Sequence, residues 1–134
     1  MHTLVSAAIV ITLVGVCMAF VAFAGITGNT IDPVAIVTDN GRHLIVRGPV
    51  VCTAGETAYL RVTVTQRPTG AVAQGLTRLT CTGASQQWEI HAVTGGKETF
   101  QEGPATAVAL GRTTLRGNTT DAHQWLVEIT LEEE

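Results

Sequence analysis

Ala58-Tyr59-Leu60-Arg61-Val62-Thr63-Val64-Thr65 alternates apolar and polar residues at every second position. Side chains two apart in an extended chain share a face. The stretch therefore predicts a half-buried strand with Ala58, Leu60, Val62 and Val64 inward and Tyr59, Arg61, Thr63 and Thr65 toward solvent. Val and Thr dominate it, as a pleated surface favours. On its C-terminal side Arg67-Pro68-Thr69-Gly70 supplies turn residues. A second segment, from about Val72 to Thr82, then returns as the other arm of a hairpin and ends near Cys81.

The same pattern recurs on both sides. Val34 to Thr38 and His43 to Val46 flank Asp39-Asn40-Gly41, an Asn-Gly turn that favours a tight hairpin. Val50 to Thr53 follows Gly48-Pro49, whose missing donor predicts a bend, a bulge or a sheet edge. Trp88, Ile90 and Ala92 alternate with Glu89 and His91 before Gly95-Gly96 reverses the chain. A segment from about Glu98 to Leu110 is interrupted at Gly103-Pro104. After a polar loop expected over Arg116 to Asp121, Trp125, Val127, Ile129 and Leu131 share one face of a last strand. No stretch downstream of residue 32 sustains a 3.6-residue period. The reading is an all-β fold, an immunoglobulin-like antiparallel sandwich of about seven strands, with a small barrel as the runner-up. Trp88 and Trp125 share the phase of the core residues, so both rings are expected inside.

The N-terminal segment has a different character. The first 31 residues contain no Lys, Arg, Asp or Glu, and Leu4 to Ala24 is almost continuously apolar. Two readings stand. Ala22-Phe23-Ala24 supplies a small-x-small site for cleavage of a signal peptide. The apolar run is also about as long as the ~20 residues that span a hydrocarbon core, which suits a retained anchoring helix. The β-branched Val16 ahead of Cys17 does not fit bacterial lipid attachment, and Cys17 reads as an apolar residue of that helix. The expected organisation is a signal peptide or membrane-anchoring helix over residues 1–24, a spacer over 25–32 and the β-domain over 33–134.

Setting Cys17 aside leaves Cys52 and Cys81. In an exported domain an even pair reads most economically as one disulfide, and neither a CxxC motif nor a Cys/His cluster offers a redox or metal alternative. Cys52 and Cys81 are too close in sequence to occupy the second and sixth strands, as an antibody bridge does. The net charge is −3, the arginines are scattered, and Lys97 is the only lysine. Nucleic acid and anionic lipid both call for clustered positive charge, and neither is an expected partner. Glu132-Glu133-Glu134 reads as a solvated acidic end that blunts a strand.

Cys52-Thr53-Ala54-Gly55-Glu56, then Leu60-Arg61-Val62-Thr63-Val64-Thr65-Gln66, then Cys81-Thr82-Gly83-Ala84 and Trp88 resemble a group of small secreted β-sandwich proteins of high-GC Gram-positive bacteria that lack an assigned function. The resemblance covers roughly residues 43 to 131. Members of that group often carry a second cysteine pair. The similar positions here are Val108 and Leu126, which implies an apolar contact in place of a second bridge. The composition is also similar to that of the enediyne-binding chromoprotein apoproteins, with no shared motif.

Catalytic residues are scarce. Ser85 is the only serine after residue 24 and lacks a G-x-S-x-G context. His91 and Glu89 sit two apart and share a face with no nucleophile to serve, which reads as a surface ion pair, and His123 lies near Asp121. His43, His91 and His123 would bind a metal only if the fold brought them together. No catalytic residue, metal site or cofactor is expected. Asn118-Thr119-Thr120 matches the N-glycosylation acceptor pattern. One outward patch stands out: Tyr59, Arg61 and Arg78, residue types that often anchor interfaces. The expected function is a non-enzymatic, extracytoplasmic binding or structural domain, secreted or on the outer face of the cell membrane, with a protein or glycan of the cell envelope as partner. The alternative is a membrane-anchored or filament-forming, pilin-like envelope subunit that retains its N-terminal helix and contacts the membrane through residues 4–24.

Overall fold

Eight strands form in the computed structural model, which describes residues 25–134: β1 (Ile26–Asn29), β2 (Val34–Thr38), β3 (His43–Cys52), β4 (Thr57–Gln66), β5 (Ala71–Thr80), β6 (Ser85–Thr94), β7 (Gly103–Leu115) and β8 (Asn118–Glu133). The expected signal peptide or anchoring helix lies outside the described residues. Among those described, no helix is long and apolar enough to cross a membrane.

The fold is all-β, and strand pairing closes it into a seven-stranded ring, β2-β3-β6-β5-β4-β7-β8, with β1 added beside β3. All neighbours run antiparallel except β2 and β8, which are parallel. The ring is uneven. Long ladders join β3 to β6 and run across β5, β4, β7 and β8, whereas β5 meets β6 only through Ala73↔Thr94 and Gln74↔Val93. β2 meets β3 over Ile36 to Thr38 alone. Two broad halves thus face each other and touch at thin corners.

The alternation quoted first holds in β4: Ala58, Leu60, Val62 and Val64 are buried, while Tyr59, Arg61, Thr63 and Thr65 lie on the outer face. With Leu44, Val46 and Val50 of β3, Ile90 of β6, Ala107 of β7 and Leu131 of β8 they fill the space between the halves. Each fully buried Val, Leu or Ile contributes roughly 1.5–3 kcal/mol through apolar surface removed from water. Between β2 and β3 the chain reverses through Asp39, Asn40 and Gly41, all at positive φ (52°, 55° and 84°), the left-handed geometry that Asn and Gly tolerate.

Four expectations are narrowed or corrected. First, of the bend, bulge or sheet edge expected at Gly48-Pro49, the fold has a local edge, and β3 runs through it without interruption. The carbonyls of Arg47 and Pro49 accept from the N–H groups of Asp32 (2.8 Å) and Thr30 (3.4 Å). The N and O of one strand residue point the same way, so the donor Pro49 lacks faces the gap between β1 and β2, where the ladder is interrupted. Gly48 is needed there: a Cβ would run into the Thr30 carbonyl and the ring of Trp88.

Second, the stretch expected as a spacer contributes β1, whose Ile26 is buried in the core. Third, Arg116 to Asp121 is not a loop. β7 and β8 form one long hairpin that turns at Arg116 (φ 53°) and Gly117 (φ 83°). Fourth, the two tryptophans differ. Trp88 is 2% exposed, whereas Trp125 packs against the core but is only half-buried. Trp125 is level with the buried Ala109 and Val62, but β2 pairs with β8 only over Thr130 to Glu133, so no strand pairs with the other flank of β8 beside Trp125.

Candidate functional site

The staple and the patch come together at one end of the barrel. Cys52, the last residue of β3, is bonded to Cys81, just beyond β5, with the Cα atoms 5.3 Å apart. Backbone bonds reinforce the junction, from Gly55 N–H to the Cys81 carbonyl and from Gly83 N–H to the Cys52 carbonyl, each 3.0 Å. Glu56 is buried beside it, and its carboxylate accepts a hydrogen bond from the Thr120 hydroxyl, which in turn meets Thr113 Oγ1 at 2.8 Å. The β3–β4 turn is thus tied to the β7–β8 hairpin. Single-residue pattern reading had no signal for Glu56, since its hydroxyl partners lie far along the chain.

Tyr59, Arg61 and Arg78 all lie on the outer face of β4 and β5. Tyr59 and Arg78 are register partners, and Arg61 stands opposite Leu76. The other flank of β4 adds residues that sequence reading missed. Arg112 of β7 lies opposite Tyr59, its guanidinium 4.6 Å from the ring centroid, and Leu110 lies opposite Arg61. Cation–π contact of this kind orients both side chains. A shallow depression of about 830 Å³ runs across this surface from Leu76 and Arg78 past Tyr59 and Arg112 to Gln124. Leu76 is 71% exposed at its margin. Among the described residues, Arg61, Arg78 and Arg112 form no ion pair with a carboxylate; Arg47 pairs with Glu89 instead. The available signal for Arg112 and Leu110 was their shared parity, but the expected strand stopped at about Leu110, short of Arg112.

Val108 and Leu126, the pair highlighted by the family resemblance, are direct register partners on β7 and β8. They continue the same outer face as an apolar step beside the depression, with Leu126 66% exposed.

The opposite half carries a separate polar chain on the outside of β3 and β6. His43 Nε2 meets His91 Nδ1 at 2.9 Å, His91 Nε2 meets Glu89 Oε2 at 2.8 Å, and Arg47 Nε donates to Glu89 Oε1 at 2.6 Å. His123 stands apart from these, 2.8 Å from Asp121 Oδ2. The three histidines therefore do not converge, and among the described residues no group of three His, Cys, Asp or Glu side chains could hold a metal ion. Ser85 opens β6 in an exposed position. Hydrogen bonds from His91 and then from Arg47 hold the Glu89 carboxyl below the usual glutamate range. Burial pushes the Asp121 carboxyl up, but hydrogen bonds from the Ile26 N–H, His123 and the Ala122 N–H outweigh it and leave it below the usual value.

A depressed folded-state pKa stabilises the fold above the unfolded value, and that contribution is lost as pH falls through the folded value. Acidification below about pH 4.5 should therefore remove support at Glu89 and at Asp121. In Glu89→Gln the decline of Tm on the acid side should be shallower than in the wild type. Acid limbs that superimpose would show that the Glu89 cluster contributes nothing.

No protein-family model matches the chain, and no curated protein matches it.

Proposed function

We propose that this chain is a non-enzymatic, extracytoplasmic domain of immunoglobulin-like type that acts by binding, through the outer face of β5, β4, β7 and β8, a protein or glycan of the cell envelope. The observation that carries the reading is the cluster on that face: Tyr59 between Arg78 and Arg112, with Arg61 flanked by Leu76 and Leu110. Aromatic and arginine side chains beside exposed leucines combine contact area with directional donors. The sandwich reading is supported by the pairing of β3 with β6 and of β4 with β7, a Greek-key connectivity, and by the thin corners of the ring. The disulfide is consistent with an extracellular location.

Replacing Tyr59, Arg61 and Arg78 together by alanine should leave Tm within a few degrees, since exposed substitutions usually cost about 0.5 kcal/mol or less. Capture of a partner from envelope or culture medium should fall. If wild type and variant capture the same molecules, this face is not the binding surface. A wild type that captures nothing favours a purely structural role.

A second reading is a membrane-anchored or filament-forming envelope subunit that retains residues 1–24, whose anchor would join the barrel at the Gly25 end. Gly25 is held at the same end of the barrel as Arg112 and Arg116: Asp121 accepts from the adjoining Ile26 N–H at 3.1 Å, and the Gly25 carbonyl accepts from Thr53 N–H at 3.0 Å. The intact mass of the exported protein decides between the two readings. Loss of residues 1–24 removes the anchored reading, and their retention removes the free secreted one.

A further inference from the structure

We propose that, in the anchored protein, the end of the barrel where the chain enters at Gly25 rests on anionic lipid headgroups of the membrane that holds residues 4–24. The inference depends on the anchored reading and names the surface that this end would meet.

Two independent observations converge on it. The first is connectivity. The uncharged apolar run Leu4 to Ala24 leads directly into Gly25, and Gly25 is fixed at this end through Thr53 and Asp121. A bilayer-spanning segment would therefore bring this end close to the headgroups, with no intervening spacer. The second is charge. The β7–β8 tip presents Arg116 and the 45% exposed Leu115, and Arg112 and Arg78 stand just behind it. The acids of this end, Glu56 buried against Thr120 and Asp121 holding Ile26 and His123, are fewer than its arginines and leave a small positive excess. The far end carries an acidic excess, with Asp39, Glu98, Glu102 and Glu132 to Glu134 around the bottom of β2, β7 and β8 against Arg42, Arg67 and Lys97. The domain is thus polarised along the barrel, and the pole nearest the anchor carries the sign that anionic headgroups attract.

Tethering makes the contact intramolecular, so a few arginines suffice where a free domain would bind weakly. Docking in this orientation leaves Tyr59, Arg61 and Leu76 facing sideways, above the bilayer and open to a partner. Zwitterionic lipid would not draw the pole down, and salt would release it, because exposed charges are screened within a Debye length.

The test uses the full chain reconstituted into vesicles of phosphatidylcholine alone or of phosphatidylcholine with phosphatidylglycerol, and reads amide hydrogen exchange at residues 114–118. Exchange should slow by about tenfold or more in the anionic vesicles, return toward the zwitterionic value in high salt, and fail to slow in Arg112→Glu/Arg116→Glu. Arg67→Glu, in the turn at the opposite end, should behave as wild type, and an unchanged Tm in the double variant shows that it is folded. Equal exchange in the two lipids, with the chain still held by the vesicles, overturns the docking and leaves the anchor standing. Equal slowing in both lipids points to contact between copies and also overturns it. A chain that washes off both kinds of vesicle removes the anchored reading itself, and the docking with it.

Discussion

Replacing Cys52 and Cys81 together by alanine should lower the unfolding free energy by about 3–4 kcal/mol, because the bridge joins residues 29 apart in sequence and restricts the unfolded chain accordingly. For a domain of this size that corresponds to a fall in Tm of roughly 10–25 °C. The effect is large because net stabilities are small, about 5–15 kcal/mol in all. It should also be local at first. The bond, the Gly55 and Gly83 backbone pairings and the Glu56–Thr120 contact occupy one end of the barrel, so hydrogen exchange near residues 52–57 and 80–84 should rise before the rest of the molecule loosens. Thermal unfolding with and without reductant measures the first part. A reduced protein that melts with the oxidised one would show that the bridge does not constrain the fold.

Trp88→Ala should cost about 3–5 kcal/mol, the range for removing a large buried aromatic side chain. The indole is 2% exposed and lies over Gly48, its register partner across the β3–β6 ladder. Its Nε1–H donates to Asn29 Oδ1 at 3.1 Å and to the Pro49 carbonyl at 3.2 Å. Truncation would leave a void and take the donor from Asn29 Oδ1, while the Pro49 carbonyl keeps only the longer bond from the Thr30 N–H, which adds to the cost. Because those acceptors belong to β1 and to β3 at the Pro49 step, β1 should fray first. Trp125→Ala should cost roughly half as much, since the half-buried ring removes less apolar surface from water. Chemical denaturation of the two single variants is the measurement. Equal losses, or a larger loss for Trp125, would contradict the burial order of the rings.

The contrast between the two tryptophans shows where sequence reading reached its limit. Both stand in phase with core residues, and parity alone assigns them to the same interior. Parity tells which face a side chain is on, but not whether a neighbouring strand flanks it. Trp88 faces Gly48 at the middle of a long ladder. Trp125 is also at mid-ladder, opposite Ala109, but on a stretch of β8 that β2 does not pair with, beside the exposed His123 at a ring separation of 5.7 Å.

The candidate face divides in the same way. Tyr59, Arg61 and Arg78 were legible because they belong to one local hairpin, whose register follows from alternation and turn residues. Arg112 and Leu110 were not, because their contact with Tyr59 and Arg61 requires that β7, more than forty residues away, pair with the other edge of β4. The strand expected there stopped at about Leu110, and the loop expected over Arg116 to Asp121 hid the start of β8. Its polar residues form the exposed start of a hairpin arm, where one face meets water and the usual alternation of apolar residues is absent.

The sequence by itself determined the strand class, the inward set Ala58, Leu60, Val62 and Val64, the cysteine pairing, and the apolar, uncharged character of residues 4–24, since each depends on short-range periodicity or on residue type alone. Only the tertiary structure decided that the strands close into a ring, that Pro49 faces a gap in a ladder, that Arg112 lies over Tyr59, and that Arg78, Arg112 and Arg116 share one pole with Gly25. These depend on which distant strands become neighbours. That choice is made by the burial of the whole inward set at once, and no local window of the chain contains it.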